Sequence, residues 1–579
     1  MSVEILEAEM FSVEIDSTQD ISTKEQCSVV IRYVYMGNII ERLFSLIRCT
    51  DTTGKGFEAL VLNVLESNGL NPQNCIANST DGAANMQGEY NGFSANMQNL
   101  NSDHVHIWCY SHILNLVLCD ILNANLKAAS LFSLLNSISS FFKESYQRMN
   151  IWESNNSTDS KQRKIQSIGA TRWWAKELAL KKIFGDFNKP ENSLYVVVID
   201  TLEKIEKNDK INPDTRVTAK NHKDNLLKYE NIITAQIFLK IFSITGPLSR
   251  YLQTRGLDLL KCNHMLETTI EQLRSIQRDF ISFQEDTNTF LRLAKLELES
   301  KDIDADIQEH FTNVRRRYVK KFYEEKSIDE QPQSPEERFK ISTFNVLMDV
   351  AVEAMNNRFL KNMDICRDMA ILDPNNFEEI CNKKSLPDNC MKYLSAKIIK
   401  YNSTATSSQL KEELLSFASN WEKLKLTLED TYKTNYDLDL HIIEDDYDDE
   451  DGIDTVNLPN SSEITDVKLK KNICKSCKNC AICCYTVILK YNMFQGAYCA
   501  LATAYQYLLT LPITQVECER SFSVLKYIKN RLRNRLTDDR LESFVIMNVE
   551  KSILNTVDND EVINSLAAES SLLKKALIY

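Results

Sequence analysis

The sequence contains few residues that interrupt regular structure. Glycine and proline number only 13 and 10 among 579 residues, while Leu, Lys, Glu and Asn occur in long runs. This composition argues against a loop-rich chain and favours a mainly helical one. A length of 579 residues exceeds one compact core, so two or three domains are expected.

Long apolar runs and a secretory signal are also missing. The first ten residues are acidic and lack an apolar segment, and no stretch approaches the roughly 18 apolar residues that cross a bilayer. With 16 cysteines and no signal peptide, the sequence favours a reduced, intracellular protein. A strand-like segment starts at residue 11, so we expect a truncated or degenerate copy of something longer.

The charge balance limits the choice of partners. A net charge of −13 argues against a nucleic-acid surface that covers the whole chain, but it leaves room for local basic patches. Hydrophobic residues make up 43% and charged residues 26% of the chain, which is typical of a soluble globular protein.

The first 124 residues predict an α/β core. Residues 11–16 alternate between apolar and polar, which indicates a half-buried strand, and residues 27–34 and 40–49 are two further β-rich runs. A helix (54–67), a strand (75–79), a helix, a strand (104–108) and a helix (113–124) follow. The order β-β-β-α-β-α-β-α is that of an RNase H-like fold, in which the first and fourth strands are neighbours.

Two aspartates fall at the ends of those neighbouring strands. Asp16 lies on or just past the first strand and Asp81 just past the fourth, so their carboxylates are expected to converge. Paired carboxylates suit Mg²⁺, and a pair of such ions supports phosphodiester cleavage. Asp is also common in turns and caps, and the sequence alone leaves both interpretations open.

Other motifs carry weaker signals. Cys109 and His112 form a C-x-x-H pair without a second pair at finger spacing, so a structural role is favoured over zinc. Trp173 follows Arg172 between helices and suits either a core anchor or base stacking. The densest basic cluster suits a solvated helix face, a nuclear localisation signal or phosphate contact. It consists of Arg315, Arg316 and Arg317.

The last part of the chain combines an acidic linker, a cysteine cluster and a polar helix. The linker spans about 443–465. C-x-x-C spacing suits iron–sulfur or zinc ligation, but the same spacing describes one helix face, so metal binding is disfavoured. The cluster consists of Cys474, Cys477, Cys480, Cys483 and Cys484. Thr514 is predicted to cap the next helix with Glu517 in a capping box. A basic stripe follows: Lys526, Lys529, Arg531, Arg533 and Arg535.

Five segments together resemble hAT-superfamily transposases. Within that superfamily they resemble the transposase-derived MYM-type zinc-finger proteins. They are FSVEIDSTQDI (11–21), STDGAANMQGEYN (79–91), CYSHILNL (109–116), TRW (171–173) and LPITQVECERSFSVLKYIKNRLRNR (511–535). The resemblance implies an RNase H-like core (1–124), a mostly helical insertion (125–499) and a C-terminal dimerisation region (500–579) that completes the core.

The resemblance also implies the site and the partners. Asp16, Asp81 and Glu519 would be the catalytic acids and would bind Mg²⁺ or Mn²⁺. DNA contacts would come from Trp173, Arg172, Arg315, Arg316, Arg317, Lys529 and Arg531. A homodimer or higher oligomer would form through Phe522, Leu525, Leu532, Leu536 and Leu541.

Two functions therefore remain. One is a nuclear, metal-dependent transposase that cuts DNA and transfers strands, without a membrane partner. The other is a catalytically inactive, domesticated copy that dimerises and binds chromatin. The family's N-terminal zinc finger, which binds the transposon ends, does not occur in this sequence. Its absence favours the second function, the inactive copy. The intact set of acids favours the first.

Overall fold

The structure is a computed structural model that describes residues 1–88, 90–155, 173–187, 193–312, 334–383, 386, 390–428, 478–569 and 573–574. The chain forms two compact units. The first comprises Met1–His112, Leu252–Cys262 and Asn362–Tyr579, and the second comprises Ile113–Tyr251 and Asn263–Lys361. These units are defined by compactness alone. The predicted division into core, helical insertion and dimerisation region near residues 124 and 499 therefore stays a prediction.

A single five-stranded mixed sheet lies in the described part of the first unit. Its strands are β1 (Phe11–Gln19), β2 (Glu25–Tyr35), β3 (Asn38–Arg48), β4 (Cys75–Thr80) and β5 (Val105–Trp108). The spatial order is β3-β2-β1-β4-β5. The first three strands pair antiparallel, while β4 pairs parallel with β1 and with β5. The predicted strand order, with the first and fourth strands adjacent, is confirmed.

The helices surround the sheet in the first unit and make up the described secondary structure of the second. In chain order they are α1 (Ser2–Ala8), α2 (Gly54–Ser67), α3 (Ala84–Gln87), α4 (Phe93–Leu100), α5 (Tyr110–Ala124), α6 (Leu126–Lys143), α7 (Tyr146–Asn155), α8 (Trp173–Phe184), α9 (Tyr195–Lys207), α10 (Pro213–Leu226), α11 (Tyr229–Leu252), α12 (Leu259–Ile276), α13 (Phe280–Ser300), α14 (Pro335–Phe339), α15 (Val346–Met369), α16 (Phe377–Lys383), α17 (Lys392–Ile398), α18 (Ser407–Leu424), α19 (Ala481–Lys490), α20 (Cys499–Thr510), α21 (Val516–Ile528), α22 (Asp538–Val549), α23 (Lys551–Leu554) and α24 (Asn559–Glu569).

Helix α2 begins and ends where its sequence signals predict. The Thr53 side chain accepts a hydrogen bond from the backbone N–H of Gly56, which caps the first turn. Gly69 follows the helix with φ of 71°, a left-handed conformation that favours glycine. Helix α1 was not predicted. It is fixed to the sheet by a 2.5 Å hydrogen bond from the Tyr33 hydroxyl to Glu4.

Strand β1 is buried on both faces, and the prediction of a half-buried strand is therefore wrong. Val13 and Ile15 lie in the core cluster that includes the apolar side chains of α2. On the opposite face, Ser12 donates a 2.6 Å hydrogen bond to the carbonyl of Thr510, and Glu14 is only 1% exposed. The polar face is covered because helices almost 500 positions later in the chain return to it.

The returning helices α21 and α22 pack on the second face of the sheet. Their apolar side chains form one buried cluster with those of β2 and β3. The main members are Val30, Leu43, Leu46, Cys518, Phe522, Leu525, Ile528, Leu541 and Val545. The burial of these side chains holds the C-terminal segment against the sheet, since each large apolar side chain contributes about 1.5–3 kcal/mol to the free energy of folding.

The second unit is built around long apolar helices. Among the described helices, α11 is long and apolar enough to cross a membrane by length and composition, although 78% of its apolar window is buried inside the structure. The bent pair α5 and α6 passes the same test only if the two helices are taken together. Core helices pass this test too, so it is weak evidence for a membrane span.

Candidate active site

Asp16 lies near the end of β1, on the face that the C-terminal helices cover. It shares this face with Ser12 and Glu14, because alternate residues of a strand point to the same side. One of its carboxylate oxygens, Oδ1, accepts a 2.9 Å hydrogen bond from the backbone N–H of Ser17. The carboxylate is thus oriented at the sheet edge and only partly exposed.

Asp81 directly follows β4 and stands next to Asp16 in the sheet. The parallel register pairs Glu14 with Ser79, so two further residues along each strand bring Asp16 and Asp81 side by side. The Asp81 carboxylate accepts a 3.1 Å hydrogen bond from the backbone N–H of Ala83, which tightens the turn. The predicted convergence of the two strand ends is therefore present in the register.

Gly82 fixes the path of the chain just after Asp81. A Cβ atom at this position would lie 2.8 Å from Cζ2 of Trp108, at the end of β5. Real Cβ contacts are essentially never that short, so only glycine lets the turn pass against the indole ring. The close approach sets where the Asp81 carboxylate sits.

Glu519 reaches the same edge from helix α21. Two backbone hydrogen bonds join the segments there: Cys109 N–H donates to Thr80 C=O at 3.1 Å, and Tyr110 N–H donates to Ile513 C=O at 3.0 Å. Further along α21, the hydroxyl of Ser521 donates to Ser28 Oγ of β2 at 2.9 Å. The helix that carries Glu519 is therefore fixed to the sheet on both sides of this residue.

The other two acids influence Asp16 electrostatically. Burial raises the pKa of Asp16 well above its usual value, and the negative charges of Glu519 and then of Asp81 raise it further. The hydrogen bond from the Ser17 N–H acts in the opposite direction. Charges interact this way only across short distances, so the structure brings Asp16, Asp81 and Glu519 to one edge of the sheet.

Their oxygen atoms suit a hard divalent cation, which would relieve the mutual repulsion of the carboxylates. Within the described ranges, no three Asp, Glu, His or Cys side chains are close enough together to hold a metal ion as they stand. Rotation of side chains would be needed to close a ligand set. The donors thus fit Mg²⁺ or Mn²⁺ in kind, but binding itself is a proposal.

The C-x-x-H pair lies beside the acids. Cys109 is fully buried, and burial raises the pKa of its thiol to about 12, against the opposing effect of the backbone N–H groups of His112 and Gln515. The negative charge of Glu519 also raises this pKa, which places Glu519 near the pair. Such a thiol stays protonated near neutral pH, which agrees with a structural role.

Glu517 does not form the predicted capping box. Helix α21 begins after Gln515 and has no side-chain cap. Instead the buried Glu517 carboxylate binds Arg255 through two 2.8 Å contacts and also forms an ion pair with Arg520. Arg520 in turn donates a 2.7 Å hydrogen bond to the carbonyl of Gln253. The ion pairs replace the predicted cap, because a carboxylate buried away from water needs cationic partners.

Glu14 is a buried acid of β1 that the sequence did not single out. Burial raises its pKa well above the usual value, and the charge of Glu41 adds to this effect while Arg32 opposes it. Its Oε1 atom has no hydrogen-bond partner among the described residues. The sequence signal was its place in the alternation of β1, two residues before Asp16 on the same face.

The predicted DNA contacts are placed very differently from one another. Lys529 is 2% exposed and its ammonium group lies 2.5 Å from Oδ2 of Asp20, so it is unsuited to DNA contact. Arg531 is exposed. Trp173 begins helix α8, while Arg172 and residues 315–317 lie outside the described residues. The acidic linker at 443–465 lies outside them as well.

Three of the predicted dimerisation residues lie inside the protomer. Phe522, Leu525 and Leu541 belong to the buried cluster on the second face of the sheet, while Leu536 packs against that cluster and is partly buried. Leu532 is 82% exposed. The resemblance implies an interface role for these three residues, but the sheet of the same protomer already covers their side chains.

The cysteine cluster is described only in part, since Cys474 and Cys477 lie outside the described residues. Cys480, Cys483 and Cys484 are buried at the start of α19, and the sulfur atoms of Cys480 and Cys483 are 3.6 Å apart. Among the cysteines that the structure describes, all are thiols.

Comparison with protein families identifies two regions of the chain. Residues 2–92 match the family described as the ZMYM1/FAM200 RNase-like domain. Residues 487–550 match the hAT family C-terminal dimerisation region. The first match contains Asp16 and Asp81, and the second contains Glu519. Together they support a hAT-derived, transposase-like protein related to ZMYM1, which confirms the resemblance, and the second match supports self-association.

Proposed function

We propose that this protein is a hAT-type DNA transposase in which Asp16, Asp81 and Glu519 hold Mg²⁺ or Mn²⁺ and cut DNA in the nucleus. The core would be an RNase H-like fold, split by a helical insertion and completed by α21. The observation that carries the proposal is that the register sets Asp16 beside Asp81, with Glu519 near enough to raise the pKa of Asp16, and perturbed carboxylates cluster at functional sites.

Each acid of the proposed site has a distinct place in the fold. Asp16 and Asp81 offer carboxylate oxygens from adjacent strand ends, and Glu519 offers its own from a helix that is fixed to β2. A bound divalent cation would activate water and stabilise the leaving oxygen of the phosphodiester. Cys109 and Gly82 position the turns on either side, and Trp108 keeps the Asp81 turn in place.

The raised pKa of Asp16 gives a pH dependence with a defined sign. The carboxylate must lose its proton before it binds a cation, so metal affinity rises with pH until Asp16 is ionised. Without a cation, the raised pKa lets Asp16 keep its proton to a higher pH than an ordinary aspartate, which removes part of the repulsion from Asp81 and Glu519.

Cleavage of labelled duplex DNA that carries the cognate terminal repeats tests the proposal. We expect Mn²⁺-dependent nicking by the wild-type protein and its loss in Asp81→Asn, Asp16→Asn and Glu519→Gln. Glu66→Gln, an exposed carboxylate of α2, is the matched control and should cut normally. Cutting that survives Asp81→Asn would refute the proposed site.

The second candidate is a dimerising chromatin-binding protein without catalysis. The specific observation in its favour is that, as far as the chain is described, no three ligating side chains lie close enough to hold an ion. If DNA binding and self-association occur but no divalent cation binds and no strand is cut, this candidate replaces the first.

We place the self-association surface on exposed apolar residues of the last helices. Phe544 and Met547 are 46% and 39% exposed on α22, and Val562 and Leu566 are 43% and 42% exposed on α24. Each pair has helical i, i+3 or i, i+4 spacing and so shares a face. Helix α24 has 11 residues, a length that is marginal in water without tertiary packing. A second copy of the chain would supply that packing, in continuity with the matched dimerisation region.

A further inference from the structure

The segment between α21 and α22 and the start of α22 carry an unusual density of cations. Residues 530–540, called the arginine loop here, contain Arg531, Arg533, Arg535 and Arg540, and all four side chains are exposed. None of them forms a hydrogen bond or an ion pair with another residue in the part of the chain that the structure describes. This is notable in a chain whose net charge is −13.

Nearby acids do not neutralise these arginines, since most are already bound to other cations. Asp20 is paired with the buried Lys529. Asp538 contacts Lys24 at 3.4 Å and Arg48 at 3.9 Å. Asp539 is the other acid of the loop, and it is exposed. The arginine loop therefore presents more positive charge than its own surroundings compensate.

The shape of the arginine loop suits an anion. Its residues surround an open hollow of about 480 Å³, lined by Arg533, Asn534, Arg535, Thr537 and Arg540 together with Leu532 and Leu536. A water molecule takes about 30 Å³ in the liquid, so the hollow has room for a phosphate group together with its hydration. Guanidinium groups bind phosphate oxygens in a bidentate manner, which a lysine cannot do.

The arginine loop lies beside the end of β1, the strand that carries Asp16. The buried pair of Lys529 with Asp20 fixes the start of the loop to the β1–β2 turn, and Ser22 Oγ donates a 3.5 Å hydrogen bond to the Asn534 carbonyl. Asp20 directly follows β1 and stands four positions after Asp16, about 13 Å of extended chain.

From this placement we infer that the arginine loop binds the DNA phosphate backbone beside the end of β1, the strand that carries Asp16. The inference rests on the proposed function for the identity of the polyanion. It assigns to Arg533, Arg535 and Arg540 the phosphate contact that the buried Lys529 cannot make, and it gives Lys529 and Asp20 the role of anchoring the loop.

Fluorescence anisotropy of a labelled 30-base-pair duplex tests the inference in EDTA, so that neither metal binding nor cleavage contributes. The variant is Arg533→Ala/Arg535→Ala in the full chain. Each lost phosphate contact lowers the slope of log affinity against log salt by about 0.9, so the pair should lower it by about 1.8. We expect at least a tenfold loss of affinity at low salt, as for loss of about 1.4 kcal/mol.

Two controls separate phosphate contact from other effects. Arg292→Ala/Lys423→Ala removes the same charge from exposed side chains elsewhere and should leave the slope unchanged. Arg533→Lys/Arg535→Lys keeps the charge and should retain most of the salt dependence. An unchanged melting temperature in Arg533→Ala/Arg535→Ala would confirm that the fold is intact.

An unchanged slope in Arg533→Ala/Arg535→Ala would overturn the inference. Equal losses in this variant and in Arg292→Ala/Lys423→Ala would overturn it too, since the effect would then be one of net charge. Light scattering provides a third arm: if the variant loses self-association instead of DNA affinity, the loop is a contact between copies. Cutting that survives Asp81→Asn, together with the expected loss of DNA affinity in Arg533→Ala/Arg535→Ala, would overturn the proposed function alone.

Discussion

Replacement of Lys529 by Met removes one partner of the most deeply buried ion pair that connects the C-terminal segment to the sheet. The ammonium group of Lys529 and the carboxylate of Asp20 are each 1% exposed at the side chain and lie 2.5 Å apart. Methionine fills nearly the same volume as the aliphatic part of lysine. The variant therefore leaves Asp20 charged and buried without its cation.

The cost can be estimated from the surroundings of Asp20. Removing one partner of a buried ion pair costs about 3–5 kcal/mol. Asp20 keeps hydrogen bonds from Gln26 Nε2 at 2.9 Å and from the backbone N–H groups of Ser22 at 2.7 Å and Lys24 at 3.2 Å. These contacts reduce the penalty, so we expect about 3 kcal/mol.

Hydrogen exchange followed by mass spectrometry measures the effect locally. A loss of 3 kcal/mol corresponds to roughly hundredfold faster exchange for amides of the β1–β2 turn. The double variant Lys529→Met/Asp20→Asn should recover part of the loss, because it no longer buries an unpaired charge. Unchanged exchange in Lys529→Met would refute the claim that this pair anchors the loop.

The same pair predicts an acid limit of stability. Burial would raise the pKa of Asp20, but hydrogen bonds from Lys529 and Gln26 outweigh it and lower the pKa below its usual value. Because the folded pKa is depressed, the contribution is complete above the unfolded pKa of about 3.9 and is lost as pH falls through the folded value. Asp20→Asn should lack this pH dependence of exchange.

Three other predictions concern single positions. Gly82→Ala should lower stability by about 1–3 kcal/mol and weaken Mn²⁺ binding, because the added Cβ meets the Trp108 ring at 2.8 Å; unaltered thermal unfolding and Mn²⁺ titration would contradict the packing. Cys109 should resist iodoacetamide at pH 8 until the protein is unfolded, since burial raises its pKa to about 12; rapid labelling of the native protein would contradict its burial. Phe544→Glu should dissociate the oligomer in light scattering at unchanged melting temperature. The control Phe522→Ala is a core substitution, and it should instead lower the melting temperature by destabilising the protomer by about 3–5 kcal/mol. An oligomer that stays intact in Phe544→Glu would contradict the proposed face.

The sequence predicted the sheet well because its strands are signalled locally. Alternation in 11–16, the turn at Gly37 and the cap at Thr53 lie within a few residues of the elements that they define. The parallel placement of β4 beside β1 followed from the order of the elements, and this order placed Asp16 next to Asp81. Local patterns and topology rules sufficed for that part of the site.

Partners that are distant in sequence were not predictable from local patterns. Glu517 matched a capping box, but it pairs instead with Arg520 and with Arg255, which lies 262 positions away. Lys529 belongs to a basic stripe, yet its partner is Asp20, 509 positions away. In both cases burial decided the outcome, since a desolvated charge is stable only when it is paired.

The dimerisation residues illustrate a related difficulty. A leucine at helical spacing can face either the core of its own protomer or a second copy, and the spacing is the same in both cases. Leu541 and Val545 face the sheet, while Phe544 on the same helix is exposed. Only the direction from which the sheet approaches α22 distinguishes these faces, and that direction is a tertiary property.

Mn²⁺ binding followed by electron paramagnetic resonance tests the central proposal most directly, because it asks whether Glu519 shares a cation with Asp16 and Asp81. Even ligand-supporting residues change metal affinity by about 10–100-fold, so each of Asp16→Asn, Asp81→Asn and Glu519→Gln should weaken binding by at least about tenfold. If Glu519→Gln binds Mn²⁺ as tightly as the wild-type protein while the two aspartate variants do not, helix α21 does not complete the site.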